Sequence, residues 1–234
     1  MGRQKVTDKI IEKARKRGQT ALSEHDSKLL LEKYGVPVTP EKLVQTADEA
    51  ARAAADLGYP VVLKACGPEI AHKTERNLVA VGIRSEDELR EAFRGMESRL
   101  NSDPREGMLV QAMIKGEREL VIGLIRDPQF GPCVMFGLGG IFTEILKDTS
   151  FRVAPITEYD ALQMMDEIRA RDILGPVRNM RSANKGKLGA ALIGLGRMGV
   201  ELEDVAEIDV NPLIIGRDGE PVAVDALVVL KKEG

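Results

Sequence analysis

Imidazole, thiol and surplus basic charge are all scarce in this 234-residue chain, and each scarcity removes a class of function. Histidine occurs twice, as His25 and His72. A multi-histidine metal site is therefore excluded, and a Ser-His-Asp relay would have to use one of the two with no recognisable nucleophile motif. Cysteine also occurs twice, as Cys66 and Cys133, with no Cys-x-x-Cys spacing. Neither a disulfide scaffold nor a zinc knuckle is expected, and a reducing cytoplasm is the expected location. Lys plus Arg number 34 against 37 Asp plus Glu, for a formal charge of −3. With no excess of positive charge to neutralise phosphates, no nucleic-acid partner is expected, and any polyanion must be met by a local site. The longest apolar runs are strand-sized and interrupted, well short of the roughly 20 residues that cross a bilayer, so no membrane association is expected. No internal repeat or low-complexity tract is evident.

What is there is an alternation of helix and strand signals, long enough for one large domain or two lobes sharing a cleft. "KVTDKIIEKARKRG" places Val6, Ile10, Ile11 and Ala14 on one stripe of a surface helix, with Gly18 as its stop. Ser23 suits the cap of a second helix, "EHDSKLLLEKY", which ends at Gly35; His25 falls in its first turn and is expected to face solvent. Thr46 with Glu49, and Ser85 with Glu88, read as capping boxes before "AARAAADLG" and "LREAFRGMESRL". Between those helices lie the strands "PVVLK" and "NLVAVGI", joined by the polar loop "CGPEIAHKTERN". This is a compact α+β lobe with a projecting loop. "MLVQAMI" reads as a strand leading to a second lobe, and "ELVIGLIR" and "CVMFG" as a hairpin about "DPQFGP". "ITEYDALQMMDEIRA" is a capped helix whose Met and Leu residues fill core, and "NMRSANKGK" reads as a basic loop. The chain closes with two β-rich runs in "EIDVNPLIIGRDGEPVAVDALVVL".

That closing hairpin has a testable register. If Arg217, Asp218 and Gly219 form a three-residue loop with Gly219 left-handed, Gly216 pairs with Glu220 and Asn211 falls opposite Asp225. The two-residue strand period puts Glu207 and Asp209 on the face of Asn211, with Ile208 and Val210 on the other. Asp209, Asn211 and Asp225 then offer oxygens suited to Mg²⁺, which takes a few protein oxygens beside phosphate oxygens and waters. A hairpin with one solvated face has the same pattern. Lys64 ends "PVVLK", where its ammonium either enters a cleft to meet a nucleotide phosphate or is solvated. "GLGG", Gly137 to Gly140, allows backbone N–H groups near a phosphate or makes a tight turn; it lacks the Lys-Ser/Thr of a Walker A loop. Glu117 and Glu119 read as ribose or metal partners, or as a charged strand entrance.

Taken together, "PVVLK", "CGPEIAHKTERN", "FGPCVMFGLGGIFTEILKDTSFRVAPI" and "IDVNPLII…AVDA" resemble the β subunits of ADP-forming acetyl-CoA synthetases, over nearly the entire chain. The resemblance implies an α+β ATP-grasp fold related to succinyl-CoA synthetase, with two α+β lobes enclosing a nucleotide cleft. The domain would span residues 1–234, with approximate lobes at 24–110 and 111–234 and an N-terminal helix, 1–23, packing on the second. It implies that His72 carries a phosphoryl group on a mobile loop, that Lys64, Gln111, Met113 and Glu119 contact nucleotide, and that Asn211 and Asp225 bind Mg²⁺. Asp209 matches a catalytic acidic position near the phosphoryl-transfer centre, where succinyl-CoA synthetase has glutamate. The implied reaction is acyl-CoA plus ADP and phosphate giving acid, CoA and ATP. The implied partner is a CoA-binding α subunit in an α2β2 heterotetramer. Two other readings of the same residues are a stand-alone ATP-grasp carboxylate ligase without a histidine relay and a non-catalytic nucleotide-sensing module.

Overall fold

The computed structural model describes residues 8–68, 70, 76–100, 105–116, 118–140, 147–177 and 180–232. These fall into two compact units. The smaller holds Ser23–His25 and Thr39–Met113; the larger holds the residues up to Leu22, Asp26–Val38, and the chain from Ile114 onward.

The smaller unit is a four-stranded antiparallel sheet in the order β1 (Glu41–Val44), β4 (Gly107–Ala112), β2 (Val61–Cys66), β3 (Val79–Ile83). Two helices, α3 (Ala47–Leu57) and α4 (Glu86–Leu100), start where the capping signals stand. The Glu49 N–H donates to Thr46 Oγ1 at 3.2 Å and the Glu88 N–H to Ser85 Oγ at 3.3 Å. Each glutamate reaches back one residue beyond the cap, to the N–H of Gln45 and of Arg84, so each box is closed one residue early. The helices bury Ala50, Ala53, Ala54, Leu89, Phe93 and Met96 with Val61, Leu63, Ala65, Met108 and Val110 in one core. Alternation then puts Val62, Lys64 and Cys66 of β2, and Leu109 and Gln111 of β4, on the opposite sheet face, where all five are also buried.

The larger unit is a second antiparallel sheet, in the order β10 (Leu227–Leu230), β8 (Val205–Ile215), β5 (Arg118–Asp127), β6 (Gly131–Leu138), β7 (Thr149–Val153), with β9 (Pro221–Ala223) also paired to β8. One face meets α1 (Lys9–Lys16), α2 (Glu24–Lys33), α5 (Glu158–Glu167) and α6 (Lys185–Glu201), whose apolar residues join Leu120, Ile122, Leu124, Val134 and Phe136 in one core. In α1, Ile11 and Ala14 are the buried members of the expected stripe; Val6 lies outside the described residues. The β5–β6 turn is closed by Asp127, whose Oδ1 accepts from the N–H groups of Gln129 and Phe130. The segment read as a basic loop, "NMRSANKGK", is loop only in part. Asn184 caps α6 by accepting from the Lys187 N–H at 3.1 Å, and Lys185 onward is helix. Among the described residues, no helix is long and apolar enough to cross a membrane.

Candidate functional site

The acidic and amide groups of the larger unit are set by β8. Its pairing with β9 runs from Ile215↔Pro221 to Leu213↔Ala223, Gly216 and Glu220 close the loop, and Gly219 takes a φ of 90°. Beyond the rungs, Val224 N–H donates to Pro212 O at 3.0 Å, and pairing resumes at Asp209↔Leu227. Asn211 therefore stands opposite Asp225, as a three-residue loop requires. Against β5 the register shifts between Leu120↔Leu213 and Ile122↔Val210, so Asn211 and Pro212 together oppose the single residue Val121. This bulge changes the phase of the strand: Ile208 and Val210 face the core before it, and Leu213 and Ile215 after it. Asp209 and Asn211 are left on the face away from the helices, where Asp209 lies in a row with Leu227, Gly123, Met135 and Phe151.

Glu119 joins this group through the glycines after β6. Gly139 N–H donates to Glu119 O at 2.9 Å and Gly140 N–H to Asn211 Oδ1 at 3.2 Å. Gly140 has a φ of 63°, and a Cβ there would lie 2.1 Å from Glu119 Oε2, so a side chain would displace the carboxylate. Beneath Glu119, Arg118 is buried and donates to the carbonyls of Ile173, Gly175, Arg181 and Gly216 at 2.7–3.3 Å, tying the base of the β8–β9 hairpin to β5. Burial pushes its guanidinium pKa down. At the last residue of β6, Leu138 N–H donates to Asp148 O at 3.2 Å. Burial alone would raise the Asp148 carboxyl, but the N–H groups of Arg169 and Ala170, each at 2.8 Å, and the Arg169 side chain hold it below the usual range. Neither the Arg118 nor the Asp148 side chain has a local sequence signal, since the partners of each lie more than 20 residues away.

The Asp209 carboxyl is pushed up to about 6, first by burial and then by the carboxylates of Glu207 and Asp225. Such a group of like charges with oxygen donors is what a divalent cation relieves, and two carboxylates and an amide, on β8 and in the bend between β9 and β10, fit the ligand chemistry of Mg²⁺. Among the described residues, no group of three or more His, Cys, Asp or Glu side chains is arranged to hold a metal ion.

The remaining candidates belong to the smaller unit. Lys64 is not at a strand exit, since β2 continues through Cys66. Its side chain is 6% exposed, and Nζ donates to Glu24 Oε1 at 2.8 Å, that carboxylate being 1% exposed. The solvated reading of Lys64 is thereby corrected. Gln111 is buried on β4 and faces Glu41 across β1; Met113 follows β4, its N–H 3.4 Å from Pro60 O. His25, expected to face solvent, is instead partly buried, with Nδ1 3.0 Å from Glu41 Oε1. Glu24 escaped sequence reading, and His25 was read as solvent-facing, because acids and polar residues are ordinary in a first helical turn. His72 and Glu117 lie outside the described residues.

Comparison with known proteins adds the following. The ATP-grasp domain family matches residues 13–230. The β subunit of acetate–CoA ligase (ADP-forming) I from Pyrococcus furiosus is 44% identical over 225 residues, covering 94% of this chain and 96% of that one. Acetate–CoA ligase (ADP-forming) I of Archaeoglobus fulgidus is 39% identical over 208 residues, 87% of this chain but only 30% of a much longer relative. The solved acetyl-coenzyme A synthetase 1 of Ca. Korarchaeum cryptofilum is 41% identical over 95% of this chain and 98% of its own. It superposes with a TM-score of 0.85 in a complex with a phosphorylated phosphohistidine segment. The score is 0.84 in a complex with coenzyme A and Mg-AMPPCP whose phosphohistidine segment points towards the nucleotide-binding site. With its fold and a match along nearly its whole length, the chain belongs to the ATP-grasp family of ligases, and within it to the β subunits of the ADP-forming acetate–CoA ligases.

Proposed function

We propose that this chain is the nucleotide-binding half of a cytoplasmic α2β2 ligase that makes ATP from acyl-CoA, ADP and phosphate, and that His72 relays the phosphoryl group. One observation carries the reading. The chain is 41% identical, over 95% of its length, to a synthetase whose histidine segment has been seen both phosphorylated and pointing towards nucleotide. The length of the Archaeoglobus relative supports a partner, because this chain corresponds to only 30% of it. A CoA-binding α subunit would supply the rest.

In this mechanism the neutral imidazole of His72 attacks the phosphorus of the α-subunit phosphohistidine. A new phosphorus–nitrogen bond forms as the old one breaks, and the departing imidazole keeps the electron pair. A terminal oxygen of ADP then displaces His72 from phosphorus, giving ATP and free imidazole. The two phosphorus–nitrogen bonds are alike, so neither transfer needs a large drop in free energy. Lys64 offsets phosphate charge, Gln111 and Met113 hold the base side of the nucleotide, and Glu119 accepts from ribose hydroxyls. Asn211 and Asp225 would hold Mg²⁺, with Asp209 beside them. The cation, when bound, neutralises the β- and γ-phosphate oxygens. Gly140, by keeping clear of the Glu119 carboxylate and donating to Asn211, holds these two side chains in place.

The test is to mix the chain with its α partner, acyl-CoA, radiolabelled phosphate and Mg²⁺, without ADP. Acid-labile label should appear on this chain, vanish in His72→Ala and be discharged as ATP when ADP is added. A His72→Ala enzyme that turns over at the parent rate would refute the relay.

A further inference from the structure

Glu24 and Lys64 are 40 residues apart in sequence, yet their charged groups meet at 2.8 Å with side chains 1% and 6% exposed. Removing both charges from water carries a desolvation penalty that their mutual attraction need not repay, and apolar side chains of similar volume would pack the same space without it. The ion pair is therefore weak as a stability device. Its surroundings sharpen the point: on the same sheet face Lys64 is flanked by Val62, Cys66 and Leu109, all buried. The next residue after Glu24 acts alike. His25 Nδ1 stands 3.0 Å from Glu41 Oε1, and Glu41 faces Gln111 across the β1–β4 pair. The start of α2 thus directs one side chain to Lys64 and the next to the strand neighbour of Gln111. Ser23–His25 belongs to the compact unit of those strands, although α2 from Asp26 on belongs to the other.

The geometry points to Glu24 as a positioning residue for phosphoryl transfer, acting through Lys64; the inference rests on the proposed role of Lys64 at the nucleotide phosphates. An ammonium on a four-carbon stem is flexible, and it carries three donors. Directing one of them at a fixed carboxylate restricts where the others can aim. Lys64 keeps its positive charge for the nucleotide phosphates, and Glu24 fixes the direction in which its remaining donors point. Glu24 therefore governs turnover more than nucleotide affinity.

The experiment compares parent, Glu24→Gln, Glu24→Asp and Lys64→Met in the enzyme assembled with its α partner, measuring kcat for ATP formation and adenosine affinity by calorimetry. The inference expects kcat to fall about 10- to 100-fold in Glu24→Gln, the loss that a misplacement of about 1 Å produces. Adenosine, which has no phosphate, should bind within about threefold of the parent. An unchanged kcat overturns the inference, and so does a fall in kcat matched by an equal loss of adenosine affinity, because a purely structural pair would weaken both. Should Glu24→Gln fail to assemble, Glu24→Asp keeps both charges and retracts the carboxylate by one methylene. The same readouts apply to it, and its failure to assemble would show the pair to be structural. Lys64→Met separates the two levels. If it turns over normally, the nucleotide role of Lys64 is wrong; if it is impaired while Glu24→Gln is not, only the role of Glu24 falls.

Discussion

Asp209 sits on a sheet face with Glu207 and Asp225 as its charged company, and its carboxyl moves from 3.8 in the unfolded chain to about 6 in the fold. A raised acid binds more protons folded than unfolded between those two values. Stability contributed by the protonated form is complete below pH 3.8, falls as pH rises through the window, and is gone above about 6. After allowance for partial solvent screening, the ionised group penalises the metal-free fold by about 2 kcal/mol at neutral pH. Asp209→Asn should therefore raise the urea midpoint of chelator-treated protein at pH 7.5 and leave it unchanged near pH 3.5. Millimolar Mg²⁺ should narrow the gap at pH 7.5 by stabilising the parent. A variant that matched the parent at pH 7.5 but lost stability near pH 3.5 would show the sign to be wrong. Asp209, Asn211 and Asp225 were legible in sequence because a hairpin converts position number directly into neighbourhood. Glu24 with Lys64 was not, since no short-range period connects a helix start to a strand three elements later.

Among the elements, α6 is the longest that sequence reading missed, beside the strands β1 and β7. Its 17 residues, KGKLGAALIGLGRMGVE, hold five glycines and an apolar surface nearly all round, so neither propensity nor a clean amphipathic period announces a helix. The fold explains the glycines by close approach. A Cβ at Gly194 would lie 2.0 Å from the carbonyl oxygen of Tyr34, and one at Gly199 would lie 2.4 Å from Leu124 Cδ1. At exposed Gly186, by contrast, the nearest atom is Asn184 Oδ1 at 3.5 Å, an ordinary contact. The same substitution should then act oppositely at two places in one helix. Gly186→Ala should stabilise by up to about 1 kcal/mol, the helical preference of alanine over glycine. Gly194→Ala should destabilise by about 1–3 kcal/mol, as overpacking against a backbone does. Denaturant midpoints of the two variants decide it, and equal shifts of one sign would contradict the packing argument. The remaining strands and helices were legible because their signals are local: the Thr157–Asp160 capping box, for example, closes in both directions at the start of α5. The bulge at Asn211 and Pro212 was not, because the odd–even phase of "IDVNPLII" changes only when the strand is laid against β5.

For the molecule as a whole, the consequential feature is that its described residues form two hydrophobic cores with no residue in common. One gathers helices α1, α2, α5 and α6 on the six-stranded sheet; the other gathers α3 and α4 on the four-stranded sheet. Each is built like the core of an independent α+β domain, with a sheet face closed by helices. A chain with two such cores is expected to depart from all-or-none unfolding. Calorimetric unfolding should give a total enthalpy larger than the van't Hoff value, with the trace resolvable into two parts. Phe93→Ala, which empties a side chain 2% exposed in the smaller core, removes about 3–5 kcal/mol there. It should move only one part of the trace, while Gly194→Ala, in the larger core, should move only the other. Additivity of the two in the double variant follows, since the sites share no packing partner. A single transition with equal enthalpies, displaced as a whole by either substitution, would mean that the two cores melt as one cooperative body, and the case for separate folding units would fail.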